Sequence, residues 1–219
     1  MSLPELPEIS LNNLKQLSQR ARIVLGSASP RRREFMRRSG VPYQTASAEI
    51  DEIVGPGEAP DAAAMRLALE KCRAVAEALA AAEPTVIIGS DTIVWHEGES
   101  LGKPVDDADA ARLLRRLSGR THTVYTGVCL LAAGFGAAAQ PLTGCAQTEV
   151  TFIELTEQHI NDYIATGDPL DKAGAYGAQQ LGAFLVDRIN GDLDTVIGFP
   201  RALVDSLAAE LLRALPAQR

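Results

Sequence analysis

The segment from Ser27 to Arg32 combines a helix start with two arginines. Ser29 stands where a helix N-cap belongs, and Pro30 follows at the first helical position, where its missing N–H costs nothing. Free N–H groups and the positive end of the helix dipole point out of such a turn, and the guanidinium groups of Arg31 and Arg32 match phosphate oxygens. A capped surface helix with solvated arginines fits the spacing equally well. A polyphosphate cradle and a surface helix therefore both remain open.

A carboxylate follows a strongly apolar, β-branched run. Residues 85–88 predict a buried strand that ends at Gly89, so that Asp91 would stand at a break before extended structure resumes at Thr92. Because α/β folds bind ligands at the carboxyl edge of their strands, Asp91 could be a general base or a metal ligand. A turn aspartate that caps its own backbone is the commoner outcome for a Gly-Ser-Asp run.

Two glycine-rich matches lack the context of a nucleotide-binding motif. The run that ends at Lys103 is one residue short of a Walker loop and has Pro104 at the Ser/Thr position, so only Lys103 is kept, as a possible phosphate ligand. The G-x-G-x-x-A match at 134–139 precedes Pro141 and a predicted strand instead of a helix, which favours a hairpin loop.

Acidic residues gather in two places. One group lies within residues 49–52, and a second, Asp168 and Asp171, precedes the run from Lys172 to Gly177. Carboxylates from separate loops are how Mg²⁺ is held beside a triphosphate, although solubilising surface charge is the simpler explanation for any single member. The glycines of the second run suggest close approach of its backbone to another group.

Composition excludes several function classes. With 21 basic and 28 acidic residues the formal net charge is −7, which disfavours nucleic acid and anionic membranes as partners. The 3 cysteines lack metal or disulfide spacing, and the 3 histidines are too scattered for a metal site. No apolar run has the length of a signal peptide or a membrane span, so we expect a cytoplasmic protein.

Helical and strand periods alternate along the chain, which predicts an α/β fold. The N-terminal extension, residues 1–20, is expected to be a loose arm or a short helix, and residues 21–219 to form a single domain. Helices are predicted at 30–39, 60–82, 106–117, 156–165 and 201–214. Strands are predicted at 23–25, near 41–43, at 85–88 with 92–95, and at 123–132, 148–155, 183–189 and 195–198.

In this order, the segments resemble the Maf family of nucleoside triphosphate pyrophosphatases over roughly residues 22 to 212. The resemblance rests on S-x-S-P-R-R (Ser27 to Arg32), I-D-E (Ile50 to Glu52), Glu70-Lys71, G-S-D-T (Gly89 to Thr92), L-G-K-P (Leu101 to Pro104), L-S-G (Leu117 to Gly119) with His122 and Val124, T-G-V (Thr126 to Val128), D-K-A-G-A-Y-G (Asp171 to Gly177) and G-F-P (Gly198 to Pro200). It implies an elongated mixed sheet flanked by helices, similar to that of inosine triphosphate pyrophosphatases, with a cleft between two lobes and often a homodimer.

The resemblance also implies a reaction, in which water attacks the α-phosphorus of a nucleoside triphosphate with the help of Mg²⁺ or Mn²⁺ and pyrophosphate leaves. Asp91 matches the family's proposed proton acceptor, and Glu52, with Asp91, would support the metal. Lys71 and Lys103 match phosphate-binding residues of the family and are the other catalytic candidates, and Arg31 and Lys103 would also stabilise the transition state. The further substrate-binding candidates are Ser27, Ser29, Arg31, Arg32, Thr92, Lys172 and Gln179.

The form of the D-K-A-G-A-Y-G-x-Q segment resembles the branch of the family that prefers dTTP and UTP. Arg31, Thr92 and Gln179 match the positions linked to that choice, and an amide suits the imide edge of uracil or thymine. This chain departs from the usual pattern at Ser90, Asp168, Ala178 and Gln180. The alternatives are the same chemistry on 7-methyl-GTP, a 5-methylated pyrimidine or another modified nucleotide, and a non-catalytic nucleotide sensor that regulates cell division.

Overall fold

The computed structural model describes residues 10–80, 82–135 and 140–215, without the side chain of Gln180. Within them the strands are β1 (Arg22–Gly26), β2 (Gln44–Ala46), β3 (Thr85–His96), β4 (Glu99–Leu101), β5 (Thr121–Ala133), β6 (Leu142–Phe152) and β7 (Val186–Asn190). The helices are α1 (Asn12–Leu17), α2 (Pro30–Ser39), α3 (Pro60–Leu79), α4 (Asp107–Leu117), α5 (Glu157–Ile164), α6 (Leu193–Ile197) and α7 (Arg201–Ala214). Short 3₁₀ helices cover Asp168–Asp171, Ala173–Ala175 and Gln180–Leu185.

The strands form a mixed sheet in the order β2-β1-β3-β5-β6-β7, with β4 beside β3. β1 is parallel to both β2 and β3, whereas β4 runs antiparallel to β3 and β7 antiparallel to β6. The helices flank this sheet, and the predicted α/β class with a mixed sheet is confirmed. No helix in the described ranges has the length and apolar character of a membrane span.

The chain divides into two compact units. The amino-terminal unit contains the described residues of Pro4–Asp91, Thr126–Ala146 and Gly198–Arg219, and the central unit contains Thr92–Tyr125 and Gln147–Ile197. Both units have an apolar core. In the amino-terminal unit Val24 and Ile87 pack with Cys72 and Val75 of α3, and in the central unit α4 buries its apolar face among aromatic residues that include Phe152, Tyr163 and Tyr176.

Helix α3 packs unusually close to strand β3. Its small buried residues, among them Ala64, Ala68 and Cys72, lie on one face at helical spacing. At Gly89 a Cβ atom would overlap the carbonyl oxygen of Ala68 and lie 2.6 Å from Cys72 Sγ. Only glycine therefore allows the helix to reach this part of the strand, and this approach sets the position of the residues that follow Gly89.

The predicted break in the strand at Asp91 is wrong. β3 is continuous from Thr85 to His96, pairing with β1 as far as Ile88 and with β4 from Val94 onward. Glycine before Ser90 and Asp91 resembled a turn signal, but Gly89 is required here by the packing of α3. Asp91 consequently lies within an extended, buried segment.

Several other boundaries differ from those predicted. The predicted strand at 195–198 is wrong, because residues Leu193–Ile197 form the helical turn α6, where Asp192 accepts from the N–H groups of Asp194 and Thr195. The strand expected near 41–43 begins at Gln44, and a 3₁₀ helix occupies the first part of the strand expected at 183–189. The helices at 30–39, 106–117, 156–165 and 201–214 are confirmed to within one residue, and the helix at 60–82 ends at Leu79. The 134–139 loop lies partly outside the described residues.

Helix α1, within the predicted N-terminal extension, packs on α7. Leu14 and Leu17 are fully buried, and Asp205 of α7 accepts from Asn13 N, Asn13 Nδ2 and Leu14 N at 2.8, 2.7 and 3.1 Å. The carboxylate of Asp205 thus satisfies N–H groups at the start of α1, which otherwise have no partner within their own helix. The short-helix alternative is confirmed for this part of the extension.

Candidate active site

Strand β1 leads directly into the turn that carries the predicted phosphate cradle. The helix α2 begins at Pro30 with Ser29 at its N-cap, as predicted, although within the described residues the Ser29 hydroxyl makes no capping bond. Ser27 organises the turn instead: its Oγ accepts from Ser29 N at 3.1 Å and from Arg32 Nη1 at 3.3 Å. The structure therefore brings Ser27 and Arg32 together at the amino end of α2.

The carbonyl group of Gly198 holds Arg32 in place. It accepts from Arg32 Nε at 2.8 Å and from Ser90 Oγ at 2.9 Å. The adjoining Phe199 is buried and stacks on Phe35 of α2, with 5.7 Å between the ring centroids. The guanidinium group is thus oriented by the G-F-P segment, whose contribution to the site the sequence did not reveal, and Ser90 joins the same carbonyl to the strand that carries Asp91.

Three charged side chains from three segments meet beside this arginine. Lys71 Nζ, on α3, lies 2.6 Å from Glu52 Oε1 and 2.5 Å from Asp91 Oδ1. The Asp91 and Lys71 side chains are largely buried, at 8% and 12% exposure, whereas Glu52 comes from an irregular loop and is exposed. Low exposure limits screening of the Lys71–Asp91 attraction by solvent.

The charges of the site act on Arg32 as well. Burial lowers the pKa of the Arg32 guanidinium, and the neighbouring Arg31 lowers it further, while Asp91 and Glu52 act in the opposite direction. Arg32 on the cationic turn therefore interacts electrostatically with both carboxylates, Asp91 and Glu52. This group of residues can bind anions at its arginines and offers Asp91 as a proton acceptor.

Glu52 and Asp91 are the residues of this group that fit a divalent cation. Their carboxylate oxygens already converge on one cationic atom, Lys71 Nζ. Magnesium in phosphate sites typically takes one or two carboxylates and completes its shell with water and substrate oxygens. No cluster of three or more His, Cys, Asp or Glu side chains suited to a metal occurs among the described residues. The donor set therefore suits an ion shared with a phosphate ligand.

In the central unit, Lys172 is bound within its own segment. Its ammonium group donates to Asp168 O, Asp168 Oδ1 and Asp171 Oδ1 at 2.5, 2.9 and 2.6 Å, and its side chain is 9% exposed. An ammonium group has three donors, so these contacts use all of them. The two aspartates considered for a metal site on the sequence are both engaged by Lys172.

Tyr163 fixes the backbone that leads to Gln179. Its hydroxyl donates to Asp168 Oδ2 at 2.6 Å and accepts from Gly177 N at 3.0 Å. A Cβ atom at Gly177 would lie 2.9 Å from Lys172 Cε, which confirms the predicted close backbone approach. Gln179, two residues later, is half-buried.

Thr92 and Lys103 also belong to the central unit. Thr92 is half-buried in β3, and Lys103 is exposed after β4. Gly174 N donates to Gly102 O at 3.0 Å, so the L-G-K-P turn and the D-K-A-G segment are hydrogen-bonded to each other. Gly174 has a φ of 68° and packs against Val94, a position that needs glycine.

His122 is a buried histidine that sequence reasoning left without a partner. Its Nε2 lies 2.7 Å from the hydroxyl of Tyr176, and Phe152 packs edge-on against both rings. Burial lowers the pKa of His122 to about 3, so the ring is neutral at physiological pH. The ring anchors the end of the D-K-A-G-A-Y-G segment to β5.

Sequence comparison identifies the family. The family model described as "Maf-like protein" matches residues 22–211. The chain belongs to the Maf family. This Maf chain is 50% identical over 189 residues to a dTTP/UTP pyrophosphatase of Moorella thermoacetica, covering 86% of this chain and 94% of the relative. It is 45% identical over 181 residues to a dTTP/UTP pyrophosphatase of Bacillus cytotoxicus, covering 83% and 91%.

Among solved structures, a HAM1 protein from Coxiella burnetii aligns with 88% of this Maf chain and 98% of its own chain. The sequences are 14% identical and the TM-score is 0.49.

Proposed function

We propose that the chain hydrolyses dTTP and UTP to the nucleoside monophosphate and pyrophosphate. The observation that carries the proposal is the buried Asp91 carboxylate, held by Lys71 and electrostatically coupled to Arg32 at the amino end of α2. The names of the relatives at 43–50% identity supply the substrate pair. Hydrolysis between the α- and β-phosphates follows from the word pyrophosphatase in those names.

The amino end of α2 would bind the phosphates. Arg32, held by Gly198 O and Ser27 Oγ, presents a planar guanidinium group with fixed orientation. Arg31 and the positive end of the α2 dipole add positive charge, while Ser27 and Ser29 contribute hydroxyl groups. Preorganised donors of this kind stabilise the charge that builds on a leaving pyrophosphate.

Asp91 would accept a proton from the attacking water. Its carboxylate is oriented by Lys71, and the strand that carries it is fixed by the close approach of α3 at Gly89. A general base requires this kind of fixed position within hydrogen-bonding reach of its water. We assign two functions to Lys71: it orients Asp91 and stabilises the negative charge of the phosphates. From the family pattern, Lys103 is also assigned to stabilise the phosphate charge.

Glu52 and Asp91 would hold a Mg²⁺ or Mn²⁺ ion. Such an ion neutralises phosphate charge and activates its bound water. The two carboxylates supply hard oxygen ligands, and they already bind a cation through Lys71.

Recognition of the base is assigned to Gln179, Thr92 and Arg31. The Gln179 amide offers both a donor and an acceptor, which matches the imide edge of uracil and thymine. A site built on such pairs rejects other bases because a mismatch leaves polar groups unpaired. The network of Tyr163, Asp168 and Lys172 that fixes Gly177 would hold the Gln179 backbone in place.

A nucleotide panel tests the proposal. Purified chain with Mg²⁺ or Mn²⁺ is incubated with dTTP, UTP, CTP, dATP, GTP, 7-methyl-GTP and 5-methyl-UTP, and pyrophosphate release is measured. The highest kcat/KM is expected with dTTP and UTP. Preference for 7-methyl-GTP would contradict the base assignment, and absence of turnover with the whole panel would favour the nucleotide sensor.

A further inference from the structure

Arg66 of α3 connects the helix to the loop that carries Glu52. Its Nε donates to Glu58 Oε1 at 2.7 Å, and its Nη2 donates to Glu58 Oε2 at 2.8 Å and to the carbonyl oxygen of Ile53 at 2.8 Å. Its Nη1 donates to both carboxylate oxygens of Glu70, at 3.0 and 3.2 Å. Every nitrogen of the guanidinium group thus contacts either the loop or the carboxylates beside it.

Glu58 completes this connection. Besides its two bonds with Arg66, Glu58 Oε2 accepts from Gly55 N at 2.8 Å. The bonds from Arg66, followed by the one from Gly55, lower the pKa of Glu58 to about 2. Its carboxylate therefore stays ionised and paired across the physiological range. The segment from Ile53 to Glu58 is thus held by the internal bond from Gly55 N to Glu58 and by the bonds from Arg66 to Ile53 O and Glu58.

The apolar side chain of Ile53 does not anchor this part of the loop. Ile53, the residue after Glu52, has 67% of its surface exposed, and the residues between β2 and α3 form neither helix nor strand. The Arg66 bond to Ile53 O and the Lys71 bond to Glu52 Oε1 are adjacent along the chain and arise from the same helix. Lys71 provides one bond to this part of the chain, whereas Arg66 provides three, to Ile53 O and to both carboxylate oxygens of Glu58.

We propose that Arg66 is a positioning residue for Glu52, which fixes the loop so that this carboxylate can bind the divalent cation together with Asp91. The proposal rests on the proposed function for the identity of the metal site. A substitution of Arg66 leaves the sequence of the loop unchanged but removes the hydrogen bonds that hold it at Ile53 O and Glu58. Residues outside the first coordination shell that orient a ligand typically change metal affinity by about 10- to 100-fold when they are replaced.

The test compares Arg66→Met with Arg73→Met, an exposed arginine seven residues further along α3. Two measurements are made without nucleotide: Mn²⁺ affinity by electron paramagnetic resonance, and hydrogen exchange of the Gly55 amide. We expect Arg66→Met to weaken Mn²⁺ binding by about tenfold and to accelerate exchange at Gly55, with Arg73→Met unchanged in both. Because neither measurement involves turnover, the proposal fails or stands independently of substrate identity.

Steady-state kinetics give a third measurement. In Arg66→Met the apparent metal constant is expected to rise about tenfold, while KM for dTTP at saturating metal stays within about twofold of wild type. Glu58→Gln keeps Arg66 and the shape of the side chain but removes the charge of the pair, and it should shift Mn²⁺ affinity in the same direction by a smaller factor. Wild-type Mn²⁺ affinity in both variants, or equal effects of Arg66→Met and Arg73→Met, would overturn the proposal.

Discussion

Lys71 Nζ lies 2.5 Å from Asp91 Oδ1, and the same atom lies 2.6 Å from Glu52 Oε1. One ammonium group thus serves two carboxylates that come from a strand and a loop. The partly buried position makes this attraction stronger than that of a surface pair. This contact orients the proposed base and the proposed metal ligands together.

Replacing Lys71 tests its two proposed functions. Lys71→Met should lower kcat for dTTP by about 100-fold, since one preorganised positive charge is lost at the phosphates. The two carboxylates then repel each other, so Mg²⁺ should raise the melting temperature of the variant more than that of wild type. Lys15→Met, on α1, is the control. Wild-type turnover by Lys71→Met would remove this lysine from the mechanism.

Arg32 should not be replaceable by lysine. Its guanidinium group bonds Gly198 O and Ser27 Oγ through two nitrogens in fixed geometry, which a single ammonium group cannot reproduce. Arg32→Lys is expected to raise KM for dTTP at least about tenfold, equivalent to about 1.4 kcal/mol, in initial-rate measurements. Arg37→Lys, on the exposed side of the same helix, should leave KM unchanged. An equal KM in both variants would show that the orientation of Arg32 is unimportant.

Gly89→Ala tests the packing that positions Asp91. The added methyl group would overlap the carbonyl oxygen of Ala68, a backbone atom that cannot move without the helix. We expect a loss of about 1–3 kcal/mol in the free energy of unfolding by urea, together with lower activity because Lys71 lies on the displaced helix. Gly102→Ala, where the methyl group meets nothing within 4 Å, is the control for stability. Unchanged stability of Gly89→Ala would contradict the close approach of α3.

His122 should destabilise the fold in acid. Its pKa is about 3 in the folded protein against an ordinary value of 6.5, so between these values the unfolded chain binds a proton that the folded protein does not. The contribution of His122 to the free energy of unfolding is therefore fully present above pH 6.5. As the pH falls from 6.5 toward 3, this contribution decreases by about 1.4 kcal/mol per pH unit.

His122→Gln removes this proton uptake. From about pH 7 to about pH 5, the free energy of unfolding of wild type should fall by about 2 kcal/mol more than that of the variant. Tyr176→Phe, which leaves the histidine buried, should keep the acid dependence of wild type. A difference between wild type and His122→Gln that is the same at both pH values would show that His122 does not titrate as described.

The parts of the site predicted from sequence are those with local signals. Pro30 after Ser29 predicted where α2 begins, because a proline is favoured at the first helical position. The predicted strand break at Asp91 was wrong because of tertiary packing. Gly89 resembled a turn residue, but the packing of α3, which lies elsewhere in the sequence, requires a glycine there. Local propensity cannot separate these two uses of glycine.

The contacts that hold the site were inaccessible to pattern analysis. Arg66 donates to the carbonyl oxygen of Ile53, and Arg32 donates to that of Gly198. Because every residue has a backbone carbonyl group, the residue type does not indicate which carbonyl accepts such a bond. Lys172 shows the opposite case, since the resemblance placed it among the substrate-binding candidates while its three donors are used within its own segment.

Water is expected to attack the α-phosphorus, with Asp91 as proton acceptor. The position of attack is read from turnover of dTTP in ¹⁸O-labelled water, followed by ³¹P NMR. We expect one ¹⁸O atom in the monophosphate and none in the pyrophosphate, with Asp91→Asn folded but largely inactive. Label in the pyrophosphate, release of orthophosphate, or wild-type turnover by Asp91→Asn would contradict it.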